Sequence, residues 1–254
     1  MSKIYNKLIK WYGKVSTKDK DTLNVRSGPG VKHKQCTFSP LKYGTKIGYC
    51  DKELDNNGNI WYYIKYNGKY GFVASEYIKK IDSPRELVIK YSQIIYDRII
   101  LLKCKHATGA KSYDDIVSKR ITTCATSASV VLQKAGILPV GKLVSHTDAV
   151  KTDIIKKKNT ITKSIAGYQY LNKNKCSIIR IGKSYTDMDE KYKTPGIVYI
   201  QDSNICIVAE DGYIYSTNNA ASELNKNGIY IKNKIKSGYC FTSPILYAII
   251  PNDK

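Results

Sequence analysis

The sequence predicts a small all-β barrel followed by a separate α+β domain, and three observations support this fold class. Residues 14–81 alternate short strand patterns with Gly, Pro and Asn turns and show no long helical pattern. Residues 83–86, SPRE, combine a capping serine, a first-turn proline and a glutamate three residues later, which is typical of a helix start. Helical patterns come first after this point and strand patterns follow, as in an α+β domain. The predicted domains are 1–81 and 82–254.

The first segment is predicted to contain strands over 22–26 and 41–47 and a hairpin around Asn67-Gly68, a sequence typical of a type I′ turn. Side chains of a strand alternate between its two faces. One expectation is therefore an exposed aromatic face that binds glycan or peptide, and the other is that about half of these rings fill the barrel. The predicted binding residues are Trp61, Tyr63, Tyr66 and Tyr70.

In the second segment, a helix is predicted from residue 84 to about residue 103. A second predicted helix begins at Cys124 and ends before Gly136. Unpaired N–H groups at a helix start favour negative charge and so favour the thiolate of a cysteine placed there. Cys124 is therefore a candidate nucleophile, and the alternative is a small apolar core residue.

Later residues alternate as strands do, with turn residues between them, which predicts an antiparallel sheet. A short helix is predicted over 148–157. The predicted strands are 177–181, 196–201, 205–209, 213–217, 228–232 and 246–250.

The formal net charge of +21 implies an anionic partner, either nucleic acid or the anionic polymers of a bacterial wall. Most of the cations are lysines spread along the chain, which favours nonspecific attraction over base readout. Nothing beyond charge indicates nucleic acid. The seven cysteines are odd in number and show no CxxC spacing, so neither a disulfide framework nor a metal site is predicted, and no cofactor is indicated.

No apolar run approaches the length of a membrane span, and the N-terminal residues lack the apolar region of a secretory signal. The expectation is synthesis in the cytoplasm. If the protein works outside the cell, the expectation is that it leaves by lysis, through a holin-type pore or as part of a particle.

Three stretches of the first segment, LNVRSGPG, a Gly-Thr-Lys strand and WYYIKYNGKYGFVASEYI, resemble a bacterial SH3 (SH3b) domain. The resemblance implies an SH3-like barrel that binds the cell wall. It covers nearly the whole segment.

Two stretches of the second segment, CATSASVVLQKAGI and PGIVYIQDSNICIVAEDGYIYST, resemble the cysteine helix and the strand pair of NlpC/P60 cell-wall hydrolases. This resemblance implies a papain-like α+β domain and a cysteine amidase or endopeptidase of peptidoglycan. The family has its catalytic histidine where this chain has Asn204, and its third polar residue falls near Ser216 or Thr217. An amide does not take a proton as imidazole does. His106 and His146, on either side of the cysteine helix, are the remaining candidates for the base.

Two functions stay open. The first is a peptidoglycan hydrolase such as an endolysin. The second is a catalytically degenerate relative that serves as a structural or wall-binding component of a phage tail or a tail-like bacteriocin. The expected partners are peptidoglycan or anionic wall polymers and, in the second case, other particle proteins.

Overall fold

The computed structural model describes residues 4–146, 164–201, 204–209, 213–217, 232–234 and 245–253. The chain divides into two compact units, the first ending at Ser83 and the second beginning at Pro84. Within the described ranges, no helix is both long and apolar enough to cross a membrane.

The first unit is built on a five-stranded antiparallel sheet in the order β4-β3-β2-β1-β5. Its apolar core includes Val25, Ile47 and Ile64, none of which is more than 1% exposed. The SH3-like barrel stays a prediction. The strands are β1 (Trp11–Val15), β2 (Lys46–Leu54), β3 (Ile60–Tyr66), β4 (Lys69–Ala74) and β5 (Ile78–Ile81).

The predicted hairpin is confirmed. Tyr66 pairs with Lys69, and the two turn residues Asn67 and Gly68 have φ angles of 46° and 79°, as a type I′ turn requires. The predicted strand over 22–26 is wrong, because that stretch forms only isolated bridges to Leu41, Gln35 and Phe72. The strand predicted from residue 41 begins only at Lys46, because residues 42–45 form a turn.

The second unit contains the helices α1 (Pro84–Leu101), α2 (Tyr113–Lys119) and α3 (Cys124–Lys134). The helix starts at Pro84 and Cys124 are where the sequence predicts them. α3 stops because Gly136, just beyond it, has a φ of 69°, which glycine adopts without a Cβ penalty.

Strands follow the helices, and the larger sheet of the second unit is antiparallel with the order β10-β15-β11-β12-β13-β14. Two small ribbons accompany it, a parallel pair β6/β7 and an antiparallel pair β8/β9. The strands of the ribbons are β6 (Lys105–His106), β7 (Ile121–Thr122), β8 (Ser145–His146) and β9 (Ile165–Ala166). The strands of the sheet are β10 (Cys176–Lys183), β11 (Val198–Ile200), β12 (Ile205–Val208), β13 (Tyr213–Tyr215), β14 (Lys232–Lys234) and β15 (Ile245–Pro251).

The larger sheet buries apolar side chains on both faces. Ile205 and Ile207 lie in one cluster with residues of α1 and α3, whereas the alternating Cys206 and Val208 belong to a second cluster. This layering agrees with the predicted α+β class and places α3 against β12. The helix predicted over 148–157 lies outside the described residues, as does most of the strand predicted over 228–232.

Candidate functional site

Cys124 is the first residue of α3 and is half-buried. Thr123, in an extended conformation, caps the helix by accepting a hydrogen bond from the Thr126 N–H at 3.1 Å. The carbonyl oxygen of Thr123 also accepts from the Ser127 N–H at 2.9 Å. The first N–H groups of a helix have no partner within the helix, so this end of α3 favours negative charge next to the thiol.

After Cys124, the rest of α3 is largely buried, and hydrogen bonds from its side chains hold it to neighbouring segments. Residues 126–133 of the helix are all buried. The side-chain amide of Gln133 donates to the carbonyl oxygens of Lys111 and Lys142, each at 2.8 Å, and so ties the segments before and after the helix to it. Ser129 accepts a hydrogen bond from the Val144 N–H at 2.9 Å. The backbone that carries the thiol is therefore fixed at several points.

A hydrogen bond joins α3 to the segment that follows β13. The hydroxyls of Ser127 and Thr217 lie 3.0 Å apart, and both residues are fully buried. Ser127 is three residues after Cys124, so the contact fixes the first turn of α3 against the sheet. The resemblance pointed to the region of Ser216 and Thr217, but no sequence signal identified Ser127 as the partner.

Asn204 lies immediately before β12 and is 1% exposed. The hydroxyl of Ser216 donates to Asn204 Oδ1 at 2.9 Å, so the structure brings together two residues that the sequence pattern paired. Thr217, the next residue, contacts α3 through Ser127. A short chain of contacts thus runs from Asn204 through the end of β13 to the first turn of the cysteine helix.

His106 lies in β6 beside the segment that leads into α3. It is in register with Thr122, and the Ala107 N–H donates to the Thr122 carbonyl oxygen at 3.0 Å. Paired strands lie about 4.8 Å apart and two residues span at most about 7 Å, so the His106 and Cys124 Cα atoms are within about 12 Å. Burial lowers the pKa of His106, partly offset by a hydrogen bond to its own backbone.

The two other histidines lie in different parts of the chain. His146 pairs with Ile165 in the β8/β9 ribbon, and its side chain lies outside the described part of the chain. His33 belongs to the first unit and is exposed. Among the described residues, no group of three or more His, Cys, Asp or Glu side chains could hold a metal ion.

The four predicted aromatic binding residues fall into two groups. Trp61 is only 5% exposed, and its indole N–H donates to Asp55, so its expected exposure is wrong. Tyr66 packs against the core of the first unit and stacks on Phe38. Tyr63 and Tyr70 stack on the opposite face of the hairpin with their ring centres 5.6 Å apart, and both are half-buried.

The N-terminal segment covers part of that second aromatic face. The ring of Tyr5 lies 4.9 Å from the rings of both Tyr63 and Phe72, and its hydroxyl hydrogen-bonds to Glu53. The pKa of Tyr5 is raised to about 12, first by burial and then by Glu53. Only part of the predicted face is therefore accessible.

The first unit has a groove of about 550 Å³ that sequence reasoning missed. Trp61 and Tyr77 contribute aromatic surface to it, and Asp19, Asp21 and Glu76 contribute carboxylates. The groove is formed by the 17–31 segment, the 55–59 turn and the residues after β4. These parts are distant in sequence, and no local pattern brings them together.

No protein-family model matches the chain, and no curated protein matches it in sequence. Among solved structures, the chain is similar to NlpC2 and NlpC1 from Trichomonas vaginalis, at 12% identity to each. The match to NlpC2 covers 94% of this chain and 71% of that protein, with a TM-score of 0.32. The match to NlpC1 covers 94% and 68%, with a TM-score of 0.35. TM-scores below 0.5 do not establish a common fold, and the site rests on its own contacts.

Proposed function

We propose that this chain is a cell-wall hydrolase whose second unit uses Cys124 as the nucleophile on peptide amides of peptidoglycan. The observation that carries the proposal is the position of Cys124 at the capped start of a buried helix, fixed to the sheet through Ser127 and Thr217. The resemblance of this helix and of the β12/β13 pair to NlpC/P60 hydrolases supports the choice of substrate.

In the proposed reaction, the thiolate of Cys124 attacks the carbonyl carbon and forms a C–S bond, while the carbonyl electron pair moves to the oxygen. N–H groups at the start of α3 stabilise the resulting oxyanion. Collapse of the intermediate expels the amine, which takes a proton, and leaves a thioester. Water then hydrolyses the thioester and regenerates the thiol.

His106 is the proposed base, because it lies in the strand paired with the segment that leads into Cys124. The lowered pKa of His106, caused by burial, keeps the imidazole neutral at neutral pH. A neutral imidazole can accept the thiol proton and return it to the leaving amine. The amide of Asn204, bonded to Ser216, would serve as a polar neighbour of the reaction rather than as a base.

The test is lysis of purified cell walls by the full chain. Cys124→Ala is expected to abolish lysis, with a loss of at least about 1,000-fold, and His106→Gln is expected to lower the rate about 100-fold. Cys36→Ala is the matched control, because Cys36 is a half-buried thiol of the first unit. A Cys124→Ala protein that lyses walls as fast as the natural chain would refute the proposal.

The buried pair of Asn204 and Ser216 favours a second candidate function, a degenerate hydrolase fold that acts as a structural or wall-binding component of a phage tail or bacteriocin particle. In this case the natural chain shows no lysis, and Asn204→His creates it in a manner that Cys124→Ala abolishes. Natural activity that His106→Gln removes would exclude this second function. An active enzyme would act at the wall as an endolysin or within a particle.

We further propose that the groove of the first unit binds the wall. It combines the exposed ring of Tyr77 with carboxylates that can accept hydrogen bonds from sugar or peptide groups. Tyr77→Ala is expected to weaken pull-down of the full chain by purified walls about tenfold. Tyr43→Ala, at an exposed tyrosine outside the groove, is the control. Equal retention of both variants would show that the groove is not the wall site.

A further inference from the structure

A cationic pocket of about 610 Å³ lies in the second unit, apart from the residues assigned above. It is formed where α1 ends, where α2 ends and where the β6/β7 ribbon passes between them. The lining residues are Leu101, Leu102, Lys103, Lys105, Lys119, Arg120 and Ile121.

Four of these seven lining residues are cations, and most of that charge has no carboxylate beside it. Lys119 is paired with Asp115 at 2.8 Å and donates to the Gly109 carbonyl oxygen at 3.0 Å. Lys103, Lys105 and Arg120 are exposed, and no carboxylate of the described residues pairs with them. Three like charges around one cavity repel each other, and an anion between them would relieve that repulsion.

The backbone holds two of these cations in an uncommon conformation. Lys103 and Arg120 have φ angles of 51° and 53°, whereas every other positive φ among the described residues of the second unit belongs to a glycine. The left-handed region disfavours side chains with a Cβ by about 1 kcal/mol or more. The Lys105 N–H donates to the Arg120 carbonyl oxygen at 2.9 Å and so holds the two walls of the pocket together. Long cationic side chains therefore stand where glycine would be less strained.

We propose that this pocket binds a phosphate group carried on a polyol or sugar chain, as in the anionic polymers of a bacterial wall. A phosphate offers more acceptor oxygens than a carboxylate, so several converging cations can bind one group, and the guanidinium of Arg120 can donate two parallel hydrogen bonds. The apolar lining consists of leucines and an isoleucine. Aromatic rings, on which nucleic-acid bases stack, are absent from this lining, which favours a chain without bases.

The pocket and His106 belong to opposite faces of the β6/β7 ribbon. Lys105 and Ile121 are paired and both line the pocket, whereas the next pair, His106 and Thr122, follows them on the ribbon. Strand alternation places successive pairs on opposite faces. The choice of a wall polymer as carrier rests on the proposed function, but binding to it requires no hydrolysis.

The test is calorimetric titration of the full chain with poly(glycerol phosphate) at 0.15 M salt. Lys105→Gln/Arg120→Gln is expected to weaken binding about tenfold or more, because two charge-assisted contacts are lost. The matched control, Lys111→Gln/Lys183→Gln, removes the same charge from exposed lysines outside the pocket and is expected to weaken binding less than about twofold. Lys105→Arg/Arg120→Lys keeps both charges and is expected to retain binding within about threefold.

Equal weakening by the pocket variant and the control would overturn the proposal, because it would show diffuse attraction to a basic protein. Polyglutamate or single-stranded DNA that binds as tightly as poly(glycerol phosphate), with the same loss in the pocket variant, would also overturn it. Cys124→Ala separates this proposal from the proposed hydrolase. It is expected to leave polymer binding unchanged, whatever its effect on lysis.

Discussion

The two units differ in whether they bury polar side chains. All eleven buried polar side chains in the described residues belong to the second unit, whereas the buried side chains of the first unit's core are apolar or aromatic. In the first unit, polar side chains lie outside the core, as at Asp55, which accepts hydrogen bonds from Asn57, Asn59 and Trp61. The first unit therefore consists of an apolar core that carries a groove at its surface.

In the second unit the buried polar groups concentrate in one place. Most of them belong to α3, to Thr122 just before it, or to the strand ends near it. Burying a polar group costs free energy unless it is hydrogen-bonded, and a satisfied network fixes a single arrangement. The difference between the units indicates that position, rather than stability alone, is what α3 requires. A fixed position is also what the proposed role of Cys124 as a nucleophile requires.

The largest effect is expected from Gln133→Leu. The substitution removes both hydrogen bonds from Gln133 to the carbonyl oxygens of Lys111 and Lys142. We expect it to lower the free energy of unfolding of the second unit by about 2 kcal/mol, since each lost bond contributes about 1 kcal/mol. Urea denaturation, followed separately for each unit by amide NMR signals, measures the change.

Gln35→Leu is the matched control, because Gln35 is an exposed glutamine of the first unit. It is expected to leave the second unit unchanged. If Gln133→Leu lowered the stability of both units equally, the separation drawn between them would be wrong. Unchanged stability would show that the buried amide does not hold the loops around α3.

A smaller effect is expected from the contact between Ser127 and Thr217. Ser127→Ala and Thr217→Val each remove one side of a buried hydrogen bond, and each is expected to destabilise the second unit by about 1–2 kcal/mol. The double variant should show a coupling of about 1 kcal/mol, because the second substitution removes a bond that is already lost.

Ser129→Ala serves as the control in that cycle. Ser129 bonds to the backbone of Val144 and not to Thr217, so its effect should add to that of Thr217→Val. Coupling of equal size in both cycles would contradict a specific contact between α3 and the end of β13.

Local chemistry explains which parts of the fold could be predicted. Some signals determine the conformation of only a few neighbouring residues: the helix caps, Gly136, the Asn67-Gly68 turn and the alternation within strands. The elements that these signals predict are found in the structure. The irregular 22–45 segment was predicted less well. Its alternating apolar residues are buried in the core, as those of a strand are. The backbone there forms only isolated bridges and turns, so no regular strand results.

The sequence could predict the part of the candidate site that lies on one helix. It could not predict the contacts that depend on how the strands and the helix pair in space. Cys124 could be identified from its position at a helix start. The partnership of Ser127 with Thr217 and the pairing of His106 with Thr122 arise from how strands and helix meet in space. The cationic pocket joins the ends of two helices in the same way. Burial of Trp61 was missed because alternation does not show which face a neighbouring turn covers.

The smallest expected effect concerns acid stability and His106. Burial lowers the pKa of His106, so below the ordinary histidine pKa of about 6.5 the folded unit binds fewer protons than the unfolded chain. The second unit is therefore most stable, with respect to this group, above the ordinary histidine pKa. Its free energy of unfolding falls as the pH drops from that value through the lowered pKa of His106. His106→Gln is expected to flatten this fall below the ordinary histidine pKa, whereas His33→Gln, at an exposed histidine of the first unit, should leave it unchanged. Asp115, with a pKa of about 2 because Lys119 and nearby N–H groups stabilise its carboxylate, acts only in a more acidic range.

Urea unfolding of the second unit at half-unit pH steps measures the profile. A natural chain and a His106→Gln variant with parallel profiles would show that the imidazole is not held in its neutral form, and the base proposed for Cys124 would lose its support.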